Sequence, residues 1–193
     1  MKTLLLSAAF GAAFLMPSVA SAQAIPQAVV AVVDLSKVTD ECNACKTAAA
    51  TLRGQVSSLQ TREKTLAAPL EAEQKAIQAQ IDALNGKEPD AALQARVKAF
   101  QTKQQQGAQE ISNQQQQIQR NQQYIQKQIG DKLGPIYQQV MQKRGANVLM
   151  ESGSTLAVAS SIDVTNDVLA ALNAAMPTLQ TTAPAAAKQP QGR

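Results

Sequence analysis

The 193-residue chain has no histidine, no tryptophan, two cysteines, and only five phenylalanines and tyrosines. Without histidine there is no His-based triad and no His-ligated metal, and zinc sites usually need more cysteine than this. No glycine-rich phosphate loop with its lysine occurs, so nothing points to an ATP cycle. An enzyme is not expected, and no cofactor or metal is called for. The shortage of large apolar side chains also argues against a compact monomeric core of ordinary size. Alanine and glutamine dominate instead, with 28 Gln, 14 of them between Gln101 and Gln128. Such a composition points to long, exposed helices that gain their burial elsewhere.

The two ends differ from the middle. Lys2 precedes an apolar run from Leu4 to Met16, followed by Pro17 and the small-x-small site Ala20-Ser21-Ala22. This pattern predicts a secretory signal peptide over residues 1–22, with an apolar stretch too short to span a bilayer comfortably. The mature chain then has 17 basic and 14 acidic groups and is expected to be exported. From Pro177 to Arg193 the sequence is mostly Thr, Ala, Pro and Gln, with almost no large apolar side chain, which predicts a disordered tail.

Between the ends, Ala28-Val-Val-Ala-Val-Val-Asp34 predicts a short strand buried on both faces. From about Ser36 the pattern turns helical. Leu52, Val56, Leu59, Leu66, Leu70, Ile77 and Leu84 mark a heptad seam, interrupted by Glu63 and Glu73. Asn85-Gly-Lys-Glu-Pro-Asp90 breaks it, and a second helix begins near Ala91. Val97, Gln104, Ile111, Ile118 and Ile125 recur every seven residues, with Leu93 and Phe100 beside them. The second row becomes polar: Gly107, Gln114, Asn121, Gln128. Two such helices predict an antiparallel hairpin arm over 36–145 with its tip at 85–90. Leu52 to Leu84 alone would extend roughly 50 Å, so the hairpin must project. Its half-polar row suggests loose packing.

Gly134-Pro135 predicts a bend or break in the returning helix. Ala146–Glu151 and Thr155–Ser160 are expected as a β-hairpin around Ser152-Gly-Ser154. Thr165 is expected to cap a last helix reaching about Ala175. The fold class is therefore α+β. A small antiparallel β body (23–35 and 146–176) carries a long antiparallel α-helical coiled-coil hairpin. So few strands bury little alone, so the body is expected to be shared between chains of an oligomer. Val30, Val32, Val148, Met150, Leu156 and Val158 are its expected core.

A strand ending in Asp34-Leu35, about 110 residues of helical hairpin, and a closing Asp163-Val-Thr-x-Asp-Val-Leu169 together resemble the Skp/OmpH family of periplasmic chaperones. The resemblance covers residues 28 to about 176. It implies a homotrimer in which a β-barrel body holds three arms around a cavity. That cavity receives unfolded outer-membrane proteins and keeps them from aggregating without ATP.

Charge fits this role. Residues 36–145 hold 15 Lys and Arg against 10 Asp and Glu, so the arm attracts anionic clients and anionic lipid or lipopolysaccharide surfaces. Lys75, Lys87, Arg96 and Lys98 are the charged candidates for client contact. Leu66, Leu70 and Phe100 are the apolar ones, although each also suits the seam. Few aromatics, export and a mild net charge argue against nucleic acid. Cys42-Asn-Ala-Cys45 could be a local disulfide, free thiols, or a redox or metal pair; the helical flanks favour the first. The alternative function is a structural coiled-coil adaptor or spacer of the cell envelope, which would concentrate specificity at the tip.

Overall fold

The computed structural model describes residues 26–184; the expected signal peptide and the last nine residues lie outside them. In chain order the elements are β1 (Val30–Val33), α1 (Leu35–Glu41), α2 (Asn43–Ala83), α3 (Ala91–Arg144), β2 (Val148–Glu151) and α4 (Thr165–Ala175).

Helices α2 and α3, of 41 and 54 residues, form the hairpin. At 1.5 Å per residue they are roughly 60 and 80 Å long. Asn85 and Gly86 turn the chain at the tip with positive φ. Asp90 then starts α3 by accepting the Leu93 N–H at 2.8 Å. Helix α3 is continuous through Pro135, contrary to the expected break. Leu133, Ile136 and Val140 are all buried in the body core there, and their burial holds the helix together across one missing hydrogen bond.

The sheet corrects the expected antiparallel body. Strands β1 and β2 are parallel, with Val30 opposite Val148 and Val33 opposite Glu151. The hairpin explains this. Helix α2 leaves, α3 returns, and left-handed Gly145 (φ 67°) reverses the chain beside the start of β1. There the N–H groups of Asn147 and Val148 both reach the Val29 carbonyl. The expected β-hairpin is also absent. Ser152–Ser154 form a 3-10 turn, and residues 155–160 pair with no strand. The next segment instead takes the other edge of β1: Val32 N–H donates to the Ile162 carbonyl, and Val164 N–H to the Val32 carbonyl, both at 2.8 Å.

Thr165 does not cap α4. It is the first helical residue, and its Oγ1 accepts the Asp34 N–H at 2.9 Å. The N-cap is Val164, with no side-chain cap bond; Asp163, just before it, accepts the Thr165 N–H through Oδ1 at 2.8 Å. The bonds to Thr165 hold the Asp163 carboxyl below its usual range. The core lies between the sheet, α1, α4 and the base of the hairpin, with Val38, Cys42, Val164, Val168 and Leu172 the largest wholly buried side chains. At the α1–α2 joint, Cys42 and Cys45 form a disulfide with Cα atoms 5.1 Å apart. Asn173 of α4 accepts the Asn43 N–H at 2.9 Å, closing the start of α2.

Of the segment expected to be disordered from Pro177, residues 177–184 run along the arm instead. Leu179 packs on the body core, and Gln180 and Ala183 bond to α3. Composition hid this because the partners are amide side chains rather than an apolar stripe.

Candidate functional site

Beyond the reach of residues 177–184 the arm is a two-helix layer that no third element among the described residues covers. Its seam is only partly dry. Leu59, Ile77, Leu93 and Ile125 are buried, while Val56 is exposed, and Leu52, Val97, Phe100, Ile111 and Ile118 are half-buried. Polar bridges supplement it. Arg62 grips Glu110 with two bonds, Nε to Oε1 at 2.6 Å and Nη2 to Oε2 at 2.9 Å. Arg96 grips Glu73 the same way at 2.7 and 2.9 Å. These bonds hold both carboxyls below the ordinary glutamate range and both guanidiniums above theirs. Asn121, buried, donates to Gln55 of α2 at 2.9 Å. The polar row is thus cross-linked near the body rather than slack.

The two clamps were legible and missed. Folding the sequence back about its tip sets Glu73 opposite Arg96 and Arg62 opposite Glu110, so one apparent seam interruption is half of a planar bidentate pair.

Between the clamps the arm opens. A cleft of about 500 Å³ is lined by Arg62, Leu66, Pro69, Leu70, Glu73, Lys103, Gln106, Gly107 and Glu110. A second, of about 530 Å³, is lined by Leu66 and Leu70 again, with Glu63, Gln104, Ile111 and Gln115 among others. Leu66 and Leu70 are therefore reachable from two sides. Gly107 contributes to this: a Cβ there would stand 3.8 Å from Leu66 Cδ1, so its absence thins the wall. Lys103 on the rim was not anticipated.

The other sequence candidates are scattered. Arg96 is committed to Glu73, Lys75 pairs along its own helix with Glu71 at 2.7 Å, and Lys87 and Lys98 are exposed. Phe100 is half-buried in the seam and lines neither cleft. On the body, Val32 is buried within the chain, and Val30 and Val158 are half-buried. Val148, Met150 and Leu156 are exposed, Leu156 completely so. Among the described residues there is no cluster suited to a metal ion and no helix long and apolar enough to cross a membrane.

No curated protein matches the sequence. A solved structure does: an OmpH-like protein from Caulobacter crescentus CB15, described as a candidate outer membrane chaperone. It is 20% identical with a TM-score of 0.69, covering 86% of this chain and 96% of that one. The family model for outer membrane proteins of the OmpH-like type matches residues 29–172. That span takes in both strands, the whole hairpin and most of α4, and so the chain belongs to the OmpH-like family.

Proposed function

We propose that this protein is an ATP-independent periplasmic holdase. It binds unfolded outer-membrane proteins between basic arms and prevents their aggregation. The observation that carries the reading is the family match over 29–172, which includes the arm as well as the body. The arm's form supports it. Leu66 and Leu70 lie open to either flank and offer shallow apolar contact, with Arg62 and Lys103 balanced by Glu73 and Glu110 around them. Shallow contacts repeated around a cavity hold a chain through effective concentration and still release it. Anionic lipid or lipopolysaccharide surfaces would meet the same exposed lysines, Lys87 and Lys98.

The working unit in this proposal is a homotrimer. Among the described residues, strand β2 has β1 on one side only. Val148 and Met150 point away from the core that Leu149 joins, and Leu156 and Ile162 are further exposed apolar side chains of the body. An open strand edge beside such a patch is what a neighbouring copy would cover.

The test dilutes a urea-denatured outer-membrane barrel into buffer containing the protein and follows light scattering. Suppression at one trimer per client is expected, and Leu66→Asp/Leu70→Asp should abolish most of it. Undiminished scattering with wild-type protein overturns the reading.

A further inference from the structure

Residues 177–184 meet the arm through their main chain. The Gln128 side chain donates to the Gln180 carbonyl at 2.8 Å and accepts the Gln180 N–H at 3.1 Å, as a second peptide group would. Two helical turns further out, Asn121 Oδ1 accepts the Ala183 N–H at 2.8 Å. Neighbouring amides fix the Asn121 side chain in this orientation. Its Nδ2 donates to Gln55, and its Oδ1 also accepts from Gln117 at 2.7 Å.

The spacing is general rather than particular to this tail. Seven residues of helix advance about 10.5 Å. Three residues of a polyproline-II-like extended chain make one turn and advance about 9 Å, so every third peptide group faces the same way. A row of amides at every seventh helical position therefore meets every third peptide group of such a chain laid beside it. The row continues to Gln114, which lines the same groove as Asn121, Thr182 and, on α2, Thr51, Gly54 and Ser58. That groove has a volume of about 660 Å³, and a Cβ added at Gly54 would touch nothing within 4 Å. So there is room for side chains of many sizes.

We propose that Gln114, Asn121 and Gln128 form a track that binds extended polypeptide by its main chain, and that residues 177–184 are its resident occupant. The inference rests on the holdase reading for its second occupant, an unfolded client. Such a client offers free peptide groups all along its length, and amide side chains pair with them whatever the sequence. The tail then acts as a built-in competitor that a client must displace. Because the contacts are uncharged, this part of the affinity is insensitive to salt, unlike capture by the arm's lysines.

The experiment measures binding of a permanently unfolded, reduced and carboxymethylated protein to four forms of the chain. These are the full chain, a chain ending at Leu179, and each of the two carrying Asn121→Leu/Gln128→Leu. Leu179 is kept because it packs on the core, and circular dichroism checks the helices of every form. If the tail is seated nine-tenths of the time, ending the chain at Leu179 strengthens binding about tenfold. The double substitution removes that gain, and added salt leaves it intact. An unchanged affinity on shortening, or a gain that survives the double substitution, overturns the track while barrel protection by the full chain still upholds the holdase. Failure of both chain lengths to bind the unfolded probe or to limit barrel scattering overturns both.

Discussion

The body and the arm of this protein are built on opposite terms. In the body, a few small side chains (Val38, Cys42, Val164, Val168, Leu172) are removed from water almost completely. In the arm, most seam residues stay half-wet, and Arg–Glu clamps and amide bridges share the work of holding the helices together. Desolvation concentrates stability where the chain must close on itself. Distributed polar links let a long lever keep its shape while leaving apolar side chains within reach of a partner.

The contrast can be broken most sharply in the body. Leu172→Ala should cost about 2–5 kcal/mol, read as a lower urea midpoint, because Leu172 has no exposure and sits among Val164, Val168 and Met176. Thr165→Val should come next, at about 1–3 kcal/mol, since it leaves the part-buried Asp34 N–H without its acceptor. It should also let the Asp163 carboxyl drift back toward its ordinary range, measurable by NMR titration.

The arm should respond least. Glu73→Gln is expected to speed amide exchange near the tip while leaving the body's urea midpoint in place. Acid should lower the protection factors there in the same way, reversibly, once the intrinsic exchange rate at each pH is divided out. The Glu73 and Glu110 carboxyls have folded-state pKa values below the unfolded ones. Their contribution is therefore full above the unfolded value of about 4.3 and is lost as pH falls through the lower folded values. A midpoint that moved with Glu73→Gln, or arm protection factors unaffected at low pH, would erase the distinction between the two regions.

The sequence showed the arm more clearly than the body. Heptad steps from Leu59 to Leu66 and from Leu70 to Ile77, a tip containing Gly86 and Pro89, and a restart at Ala91 declare two antiparallel helices, because helical periodicity is local. The direction of β2 is not local. It depends on where α3 delivers the chain, and the run Asn147-Val-Leu-Met looks alike in either orientation. Thr155-Leu-Ala-Val suited a strand by propensity, but β1 has one remaining edge, and residues 162–164 take it. At the arm, Leu66 and Leu70 were legible as apolar positions. Their access from two flanks follows from the thinness of the layer, which no single helix encodes. The tail's contacts were hidden because Gln and Asn carry no hydropathy signal, although Gln114, Asn121 and Gln128 stood in register throughout.

The parallel pairing of β1 with β2 and with residues 162–164 has a consequence for how the molecule is made. The first strand emerges early, and both its neighbours lie more than a hundred residues downstream. Closing so large a loop is entropically slow, so β1 keeps two unmet edges until residues 148–164 have followed the hairpin. A chain interrupted anywhere in the hairpin could form helices but could never seal its foundation. Sealing the body is thereby made conditional on an intact arm.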